Sequence, residues 1–361
     1  MPVPYDLAIT GAGPAGAACA LAAARLGLRV ALLERSPFPR HKVCGDCLNP
    51  SVWPVLEALG CAPAIRALDH ASLHRVRFAS PSGRPLEVAL PPGAERAVTR
   101  ESFDLALLDA AQAAGATLFS GHPLTHLEQR PPLWHLATAS HTIAARALVA
   151  ADGRNSTTCH LLGLFPRSRP HRVALQCHAP LAEAYRGTVA LEWLPHGYCG
   201  IAPVDSQRMN ICLVATTAHL AAAKAAAHLR FALPPDHPWR SIAPLERADL
   251  PPAPFPGCFL VGDAARVVEP FTGEGIYYAL HSGQLAAAAA AQFLRGDPGA
   301  AANYRRTHRR LYRHRLWPNR LARLAVTHPQ LGNLLLRVGR QFPSLMSYLT
   351  AKVLRTVPTA P

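Results

Sequence analysis

One hexapeptide constrains this chain more than any other feature. Gly11-Ala12-Gly13-Pro14-Ala15-Gly16 lies between an apolar run, Tyr5–Thr10, and an Ala-rich segment, residues 17–26, that Gly27 stops. The run reads as a buried strand and the segment as a helix. In that setting G-x-G-x-x-G is a turn suited to a diphosphate: Gly11 permits the tight bend, Gly13 lets the ligand approach the backbone, and Gly16 lets helix meet strand. The helix start adds N–H donors and the positive end of its dipole. Residues 29–33 read as the second strand, and Glu34, 18 residues beyond Gly16, ends it. A carboxylate at that point would accept hydrogen bonds from an adenosine ribose. The competing reading is a plain glycine turn with a surface Glu.

The remaining pattern is α/β. Residues 103–114 have apolar helical spacing, short strand-like runs follow at 124–128 and 134–138, and residues 147–151 form a buried strand running into Asp152-Gly153. From about 169 to 250 the pattern changes to short strands (173–178, 188–193, 199–203 and 209–214) and then an Ala-rich helix at 218–231. A buried strand at 258–261 and a long helix, Gly275–Leu294, return to the first kind. Because the two kinds interleave, the second unit reads as an insertion. The expected boundaries are 1–168 for the first part of a cofactor domain, with an excursion near 66–98 toward the second unit, 169–250 for a β-sheet substrate domain, 251–300 for the second part of the cofactor domain, and 301–361 for a basic helical region.

The distal motif decides between NAD and FAD. Val261-Gly262-Asp263-Ala264-Ala265 and Glu269-Pro270-Phe271-Thr272-Gly273-Glu274-Gly275-Ile276 couple a buried strand to a second glycine-rich helix start. Asp263 would hold ribityl hydroxyls, and the helix would aim its dipole at the pyrimidine edge of an isoalloxazine, favouring the reduced state. A simple NAD dehydrogenase has no use for this element.

GAGPAG with Glu34, Ala151-Asp152-Gly153-Arg154-Asn155-Ser156, and the 262–276 motif together resemble the three fingerprints of the para-hydroxybenzoate-hydroxylase-type flavoproteins. The loop Phe38-Pro39-Arg40…Lys42…Cys44-Gly45-Asp46 resembles that of the geranylgeranyl reductase branch, whose members carry a Cys-Gly pair beside the flavin. The likeness covers about residues 1–300. It implies a Rossmann-like FAD-binding domain with an inserted β-sheet substrate domain and a helical C-terminus. It places Ala15 and Glu34 at the adenosine diphosphate, Cys44, Gly45 and Cys47 along the flavin, Arg100 before a helix that reaches FAD, and a backbone contact near Leu124. Asp263 would meet the ribityl chain, and Gly275 and Ile276 the pyrimidine end.

Cys44 and Cys47 form C-x-x-C, which admits a redox dithiol or packing against the flavin. A metal site needs further ligands, and no second C-x-x-C pair supplies them. Cys44 is a candidate for gating or for proton supply. In Tyr198-Cys199-Gly200-Ile201-Ala202-Pro203, Tyr198 and Pro203 match the family's Tyr-x-Trp-x-Phe-Pro signature, whereas Gly200 and Ala202 replace two large aromatics. That loss would open the pocket, since each ring buries roughly 150–250 Å²; alternatively Gly200 is a strand kink. Tyr198 is a general-acid candidate.

Charge separates the last segment from the rest. Of a formal net charge of +15, residues 301–361 carry +12 (12 basic, no acidic), leaving +3 for the first 300. Between Tyr304 and Arg323 eight arginines alternate with Leu311, Tyr312, Leu316, Trp317, Leu321 and Leu324, and Pro318 interrupts a single helix. Apolar spacing continues through 334–338 and 346–353. This suits a helical cap with a solvated arginine face, or a peripheral contact with an anionic membrane. Nucleic acid would answer to the charge alone, but no groove-reading motif accompanies it. Nine scattered cysteines and the lack of a visible secretory signal give a cytoplasmic expectation, at most peripheral to the inner face of the membrane.

Three functions fit. The first is reduction of carbon–carbon double bonds in a lipophilic substrate, in the manner of geranylgeranyl reductases. The second is FAD-dependent monooxygenation of an aromatic or polyketide-like molecule. The third is a non-catalytic basic binding protein on a nucleotide scaffold. The electron donor, NAD(P)H or a reduced carrier, is left open because no second G-x-G-x-x-G exists.

Overall fold

The computed structural model describes residues 3–80, 84–90, 95–165, 171–313 and 316–342, with positions 344, 347, 348 and 350. The 168/169 boundary, Arg315, Lys352, Arg355 and most of the 346–353 run lie outside the described residues.

Short apolar runs pair in parallel, the central ones buried on both faces and the edge strand Thr117–Ser120 part-exposed, as expected where helices cover a sheet. Thr117–Ser120, Val30–Glu34, Tyr5–Thr10, Thr142–Ala150 and Cys258–Leu260 lie side by side in that order. A hairpin, His126–Arg130 and Leu133–Ala137, extends the sheet antiparallel from the first half of Thr142–Ala150. The expected strand at 124–128 starts two residues later, because Thr125 closes the hairpin onto the Ala137 carbonyl through its N–H (2.9 Å) and hydroxyl (3.0 Å). Register matters most here: Thr10 pairs with Ala150, and Ala150 with Leu260. The chain therefore leaves the sheet at Gly11, Ala151 and Val261 along one carboxyl edge, where ligands bind in open α/β sheets.

Helices Pro14–Arg25 and Gly275–Leu294 cross closely beside this sheet, with Arg100–Ala113 next to them, around a core that includes Leu7, Ile9, Leu21, Phe103 and Leu280. Gly16 leaves no room for a side chain against the Gly11 carbonyl oxygen, which is the packing reason for the third glycine of the turn. Gly283 does the same for the helix crossing, since a Cβ there would overlap the Ala15 carbonyl oxygen.

The second sheet runs Arg240–Ile242, Arg172–Pro180, Arg208–Thr216, Gly197–Pro203, Thr188–Leu194, Arg75–Ala79, Leu86–Ala89. Its alternation follows the pleat. Leu175, Cys177, Ile211 and Leu213 pack on one face in a core joined by Ala223 of helix Leu220–Arg230, while Ala174, Cys212 and Val214 turn toward the first sheet's carboxyl edge. A small third sheet joins Cys47–Leu48, Glu95–Ala97 and Ala71–Leu73.

The C-terminal helices bridge both units. Ala300–Arg313 buries Tyr304, His308 and Tyr312 at four-residue spacing. The Tyr304 hydroxyl donates to the Leu260 carbonyl at 2.8 Å, and Tyr312 stacks on Tyr278 at 4.5 Å. Leu316–Thr327 carries Pro318 in its first turn, where no intrahelical donor is lost. Its Ala325 carbonyl accepts from Trp193 Nε1 of the second sheet at 2.8 Å. No described helix is long and apolar enough to cross a membrane.

The crossing at Gly283 generates a direct expectation. Gly283→Ala should lower the unfolding free energy by about 1–3 kcal/mol, the usual cost of overpacking, measured by urea denaturation. Unchanged stability would show that the two helices do not meet backbone to backbone.

Candidate active site

A single continuous cleft runs along the carboxyl edge. At one end are Glu34 and Leu124, the middle is lined by Gly11, Gly13 and Ala15, and Asp263, Gly275 and Ile276 close it from the far strand. Cys44, Gly45, Cys47 and Arg100 line it from the opposite side. Gly16 and Tyr198 do not line it.

The two helices that start on this cleft share a feature. Pro14–Arg25 begins at Gly13, and Gly275–Leu294 at Glu274, neither with a capping side chain. Two other helices of the unit are capped by side chains, Thr99 accepting from the Ser102 N–H and Ser156 from the Cys159 N–H, whereas the short helices Val52–Ala58, Ala62–Arg66 and Gly262–Ala265 are not. Uncapped N–H donors facing a cleft are what an anionic or carbonyl-bearing ligand satisfies. The glycines agree. A Cβ at Gly45, Gly273 or Gly275 would meet nothing within 4 Å, and at Gly13 only Arg40 Nη2 at 3.4 Å. Side chains at these four positions would fill the cleft that they line. These features fit FAD.

Glu34 is buried, its Oε2 accepting from the Ala12 N–H at 3.0 Å and its Oε1 from the Ser36 N–H at 3.2 Å. The carboxylate thus fixes the glycine turn while it faces the cleft. Asp263 is paired with Arg154 of the Asp152-Gly153-Arg154 stretch, Nη2 to Oδ2 at 2.9 Å. Arg154 Nη1 is buried with no hydrogen-bond partner among the described residues. Arg100 forms a two-pronged pair with the buried Asp104 (2.8 Å each), and Arg40 adds a third contact at 3.0 Å. Burial works against the Arg100 charge, but Asp104 outweighs it and raises the pKa. Lys42 lies among these guanidinium groups. Burial, then Arg100, Arg154 and Arg40, push its ammonium down to about 8. Four cations around one cleft give the positive field that a diphosphate needs.

The loop bearing Cys44 is tied to the second sheet by Asp46, the last residue of the Cys44-Gly45-Asp46 motif. Asp46 is buried in the left-handed region (φ 57°), which Asp tolerates better than most residues. Its Oδ2 meets Asn210 Nδ2 at 2.7 Å, His178 Nε2 at 2.8 Å and Gln176 Nε2 at 3.2 Å. Asn210 also donates to the Cys44 carbonyl at 2.7 Å. Burial raises the Asp46 pKa despite His178 and Arg100. The same burial pushes the Cys44 thiol up, with Arg100 pulling the other way. Cys47 turns its thiol to the Gly45 carbonyl at 3.4 Å.

Beyond Cys44 the cleft becomes apolar, lined by Ala174, Cys212, Val214, Ile242, Leu245 and Val268. Gly200 and Ala202 pair with Cys212 and Asn210 on the neighbouring strand, but they do not line the cleft. A Cβ at Gly200 would meet Leu191 Cδ2 at 3.8 Å. Tyr198 packs edge-on against Phe271 (5.2 Å), inside a cluster with Trp193 and Phe78. Burial, with Glu269 nearby, pushes its pKa well up, and its hydroxyl has no partner among the described residues.

Comparison with known proteins agrees with this geometry. Residues 4–314 match the family model described as FAD binding domain, and the chain belongs to that family. It is 30% identical over 312 residues to the menaquinone reductase of Mycolicibacterium smegmatis, covering 78% of this chain and 75% of the relative. It is 30% identical over 327 residues to the geranylgeranyl diphosphate reductase of Rhodobacter capsulatus, covering 81% and 77%. Among solved structures, the flavin-dependent brominase Bmp2 matches with a TM-score of 0.80 at 20% identity, covering 98% and 94%, a likeness of fold. The chain is an FAD-dependent oxidoreductase.

Lys42 sets a pH dependence. Below about pH 8 its ammonium adds to the field that attracts the diphosphate; above that the empty site loses the charge. FAD affinity should therefore fall as pH rises from 8 to 9, by up to about tenfold, the limit for one proton per ligand. Titration at both pH values checks this, and Lys42→Gln should bind more weakly at pH 7 and with little pH dependence. Equal affinity at both pH values in the unaltered protein would contradict it.

Proposed function

We propose that this family member reduces a carbon–carbon double bond of a lipophilic substrate held in the apolar end of the cleft. The observation that carries the reading is the lining of that end. Six small or aliphatic side chains, with no charged group among them, lie next to Cys44-Gly45 and to the helix start at Gly275. Such a wall favours an apolar chain or ring, while Arg154, which lines the same cleft and acts on Cys212, leaves a place for a polar head group. The two relatives named above, reductases of menaquinone and of geranylgeranyl diphosphate, support it.

FAD, when reduced, supplies a hydride from its N5. The residues of the chain do the rest. The uncapped N–H groups at Gly275 and Ile276 would meet the pyrimidine edge and favour its reduced, negatively charged form. The 38–45 loop and the second sheet exclude water from the apolar end. The Cys44 thiol keeps its proton on Sγ at neutral pH because burial raises its pKa. A protonated group lining the cleft is a candidate donor to the second carbon of the double bond.

Reduced, FAD-loaded protein should convert a polyprenyl substrate without oxygen to a product two hydrogens heavier by mass spectrometry, a gain that a prenylated quinone should keep after its ring is reoxidised. Stoichiometric oxygen uptake with a product one oxygen heavier would replace the reductase reading with monooxygenation. Cys44→Ala should retain FAD and lose about a hundredfold in rate, the low end of acid–base contributions. Full activity in that variant would remove the thiol from the chemistry.

A further inference from the structure

The C-terminal helix pair holds a surface that the reaction does not use. On Leu316–Thr327, Trp317, Arg320 and Leu324 are exposed at i, i+3 and i+7, hence on one face. On Pro329–Gln341, Leu334 and Arg337 are exposed three residues apart. Trp317 is 44%, Leu324 47% and Leu334 55% exposed, and Phe342 follows at 54%. Just before them, Ala300–Arg313 turns five arginines outward. Residues 301–361 contain no acidic side chain. We propose that this face docks on an anionic lipid bilayer, with Trp317, Leu324 and Leu334 entering the headgroup region and the arginines pairing with lipid phosphates.

Two arguments select lipid. Trp317, Leu324 and Leu334 each have an arginine one turn away, the pattern of an interfacial helix. Uniform positive charge matches an anionic leaflet, at about 1 kcal/mol per arginine near the surface. A nucleic acid would be served by the arginines alone and would leave Leu324 and Leu334 in water.

A neighbouring face of the same helix clasps the flavin side of the cleft. Asn319 Oδ1 accepts from the Glu269 N–H at 2.8 Å, and its Nδ2 donates to Thr272 Oγ1 at 2.9 Å. Arg323 Nε approaches Glu269 Oε2 at 3.3 Å, and the buried Arg172 holds that carboxylate from the second sheet at 2.7 Å. Docking would therefore bring the element that borders the cleft to the bilayer, whichever reaction the cleft performs.

The test is flotation of full-length, FAD-loaded protein with phosphatidylglycerol/phosphatidylcholine vesicles and with pure phosphatidylcholine. Binding is expected on the anionic vesicles only, weakened by high salt. It should fall at least tenfold both in Trp317→Ala/Leu324→Ala/Leu334→Ala and in Arg320→Glu/Arg337→Glu, with FAD content unchanged. Should a variant fail to fold, quenching of the unaltered protein's tryptophan fluorescence by brominated phosphatidylglycerol, lost in Trp317→Phe, reads the same contact. Absence of the unaltered protein from anionic vesicles, equal flotation of well-folded variants, or binding to duplex DNA without binding to vesicles would overturn the proposal. None of these results bears on the reductase assay, which is run without vesicles.

Discussion

Everything in this molecule depends on three parallel strands ending level with one another. The pairings Thr10 with Ala150 and Ala150 with Leu260 place residues more than a hundred positions apart in sequence at one edge. A slip of one residue would turn each strand's side chains to the opposite face, and the glycine turn, the Asp152-Gly153-Arg154 stretch and the 262–276 loop would no longer share a cleft. The close helix crossing at Gly283 holds that edge from behind. Its tight packing leaves the front, where glycines meet open space, as the place for a large planar ligand.

The two units are joined by buried charge as well as by the aromatic cluster around Phe271. Asp46 takes donors from two strands of the second sheet, and Glu269 is gripped by Arg172 from that sheet and by Arg323 from the C-terminal helices. Removing one partner from a buried pair typically costs about 3–5 kcal/mol, because the other charge is left in a poor medium. Such links contribute less to net stability than to geometry. They fix the Cys44 loop and the 269–274 loop relative to the apolar wall, and with them the distance between whatever binds at the flavin and whatever binds beyond it.

Much of the cofactor half was legible in the sequence. Gly11, Gly13, Glu34 and Gly275 belong to local motifs whose spacing reports a strand, a turn and a helix start, so short-range physics suffices to find them. The cluster of Asp46 with His178 and Asn210 was not legible. His178 and Asn210 lie 132 and 164 positions from Asp46, and only the register of the second sheet brings them to it. Lys42 was visible as part of the 38–46 loop motif, but its lowered pKa was not, because that comes from burial and from three arginines folded around it. The substrate half was legible least. Gly200 and Ala202 suggested a pocket opened by lost rings, yet Leu191 packs beside Gly200, and the cleft reaches the sheet at Cys212 and Val214 instead. Side-chain volume alone did not reveal which strand would form the wall.

The central claim is that one FAD spans the cleft from the Gly13 helix start to the Gly275 helix start. Competition binding with the two halves of the coenzyme tests it most directly. FAD should bind one per chain, AMP and FMN should each displace it, and AMP and FMN should occupy the protein together because they take opposite ends. If AMP and FMN exclude one another, or if either leaves FAD in place at saturation, the two helix starts do not serve a single ligand.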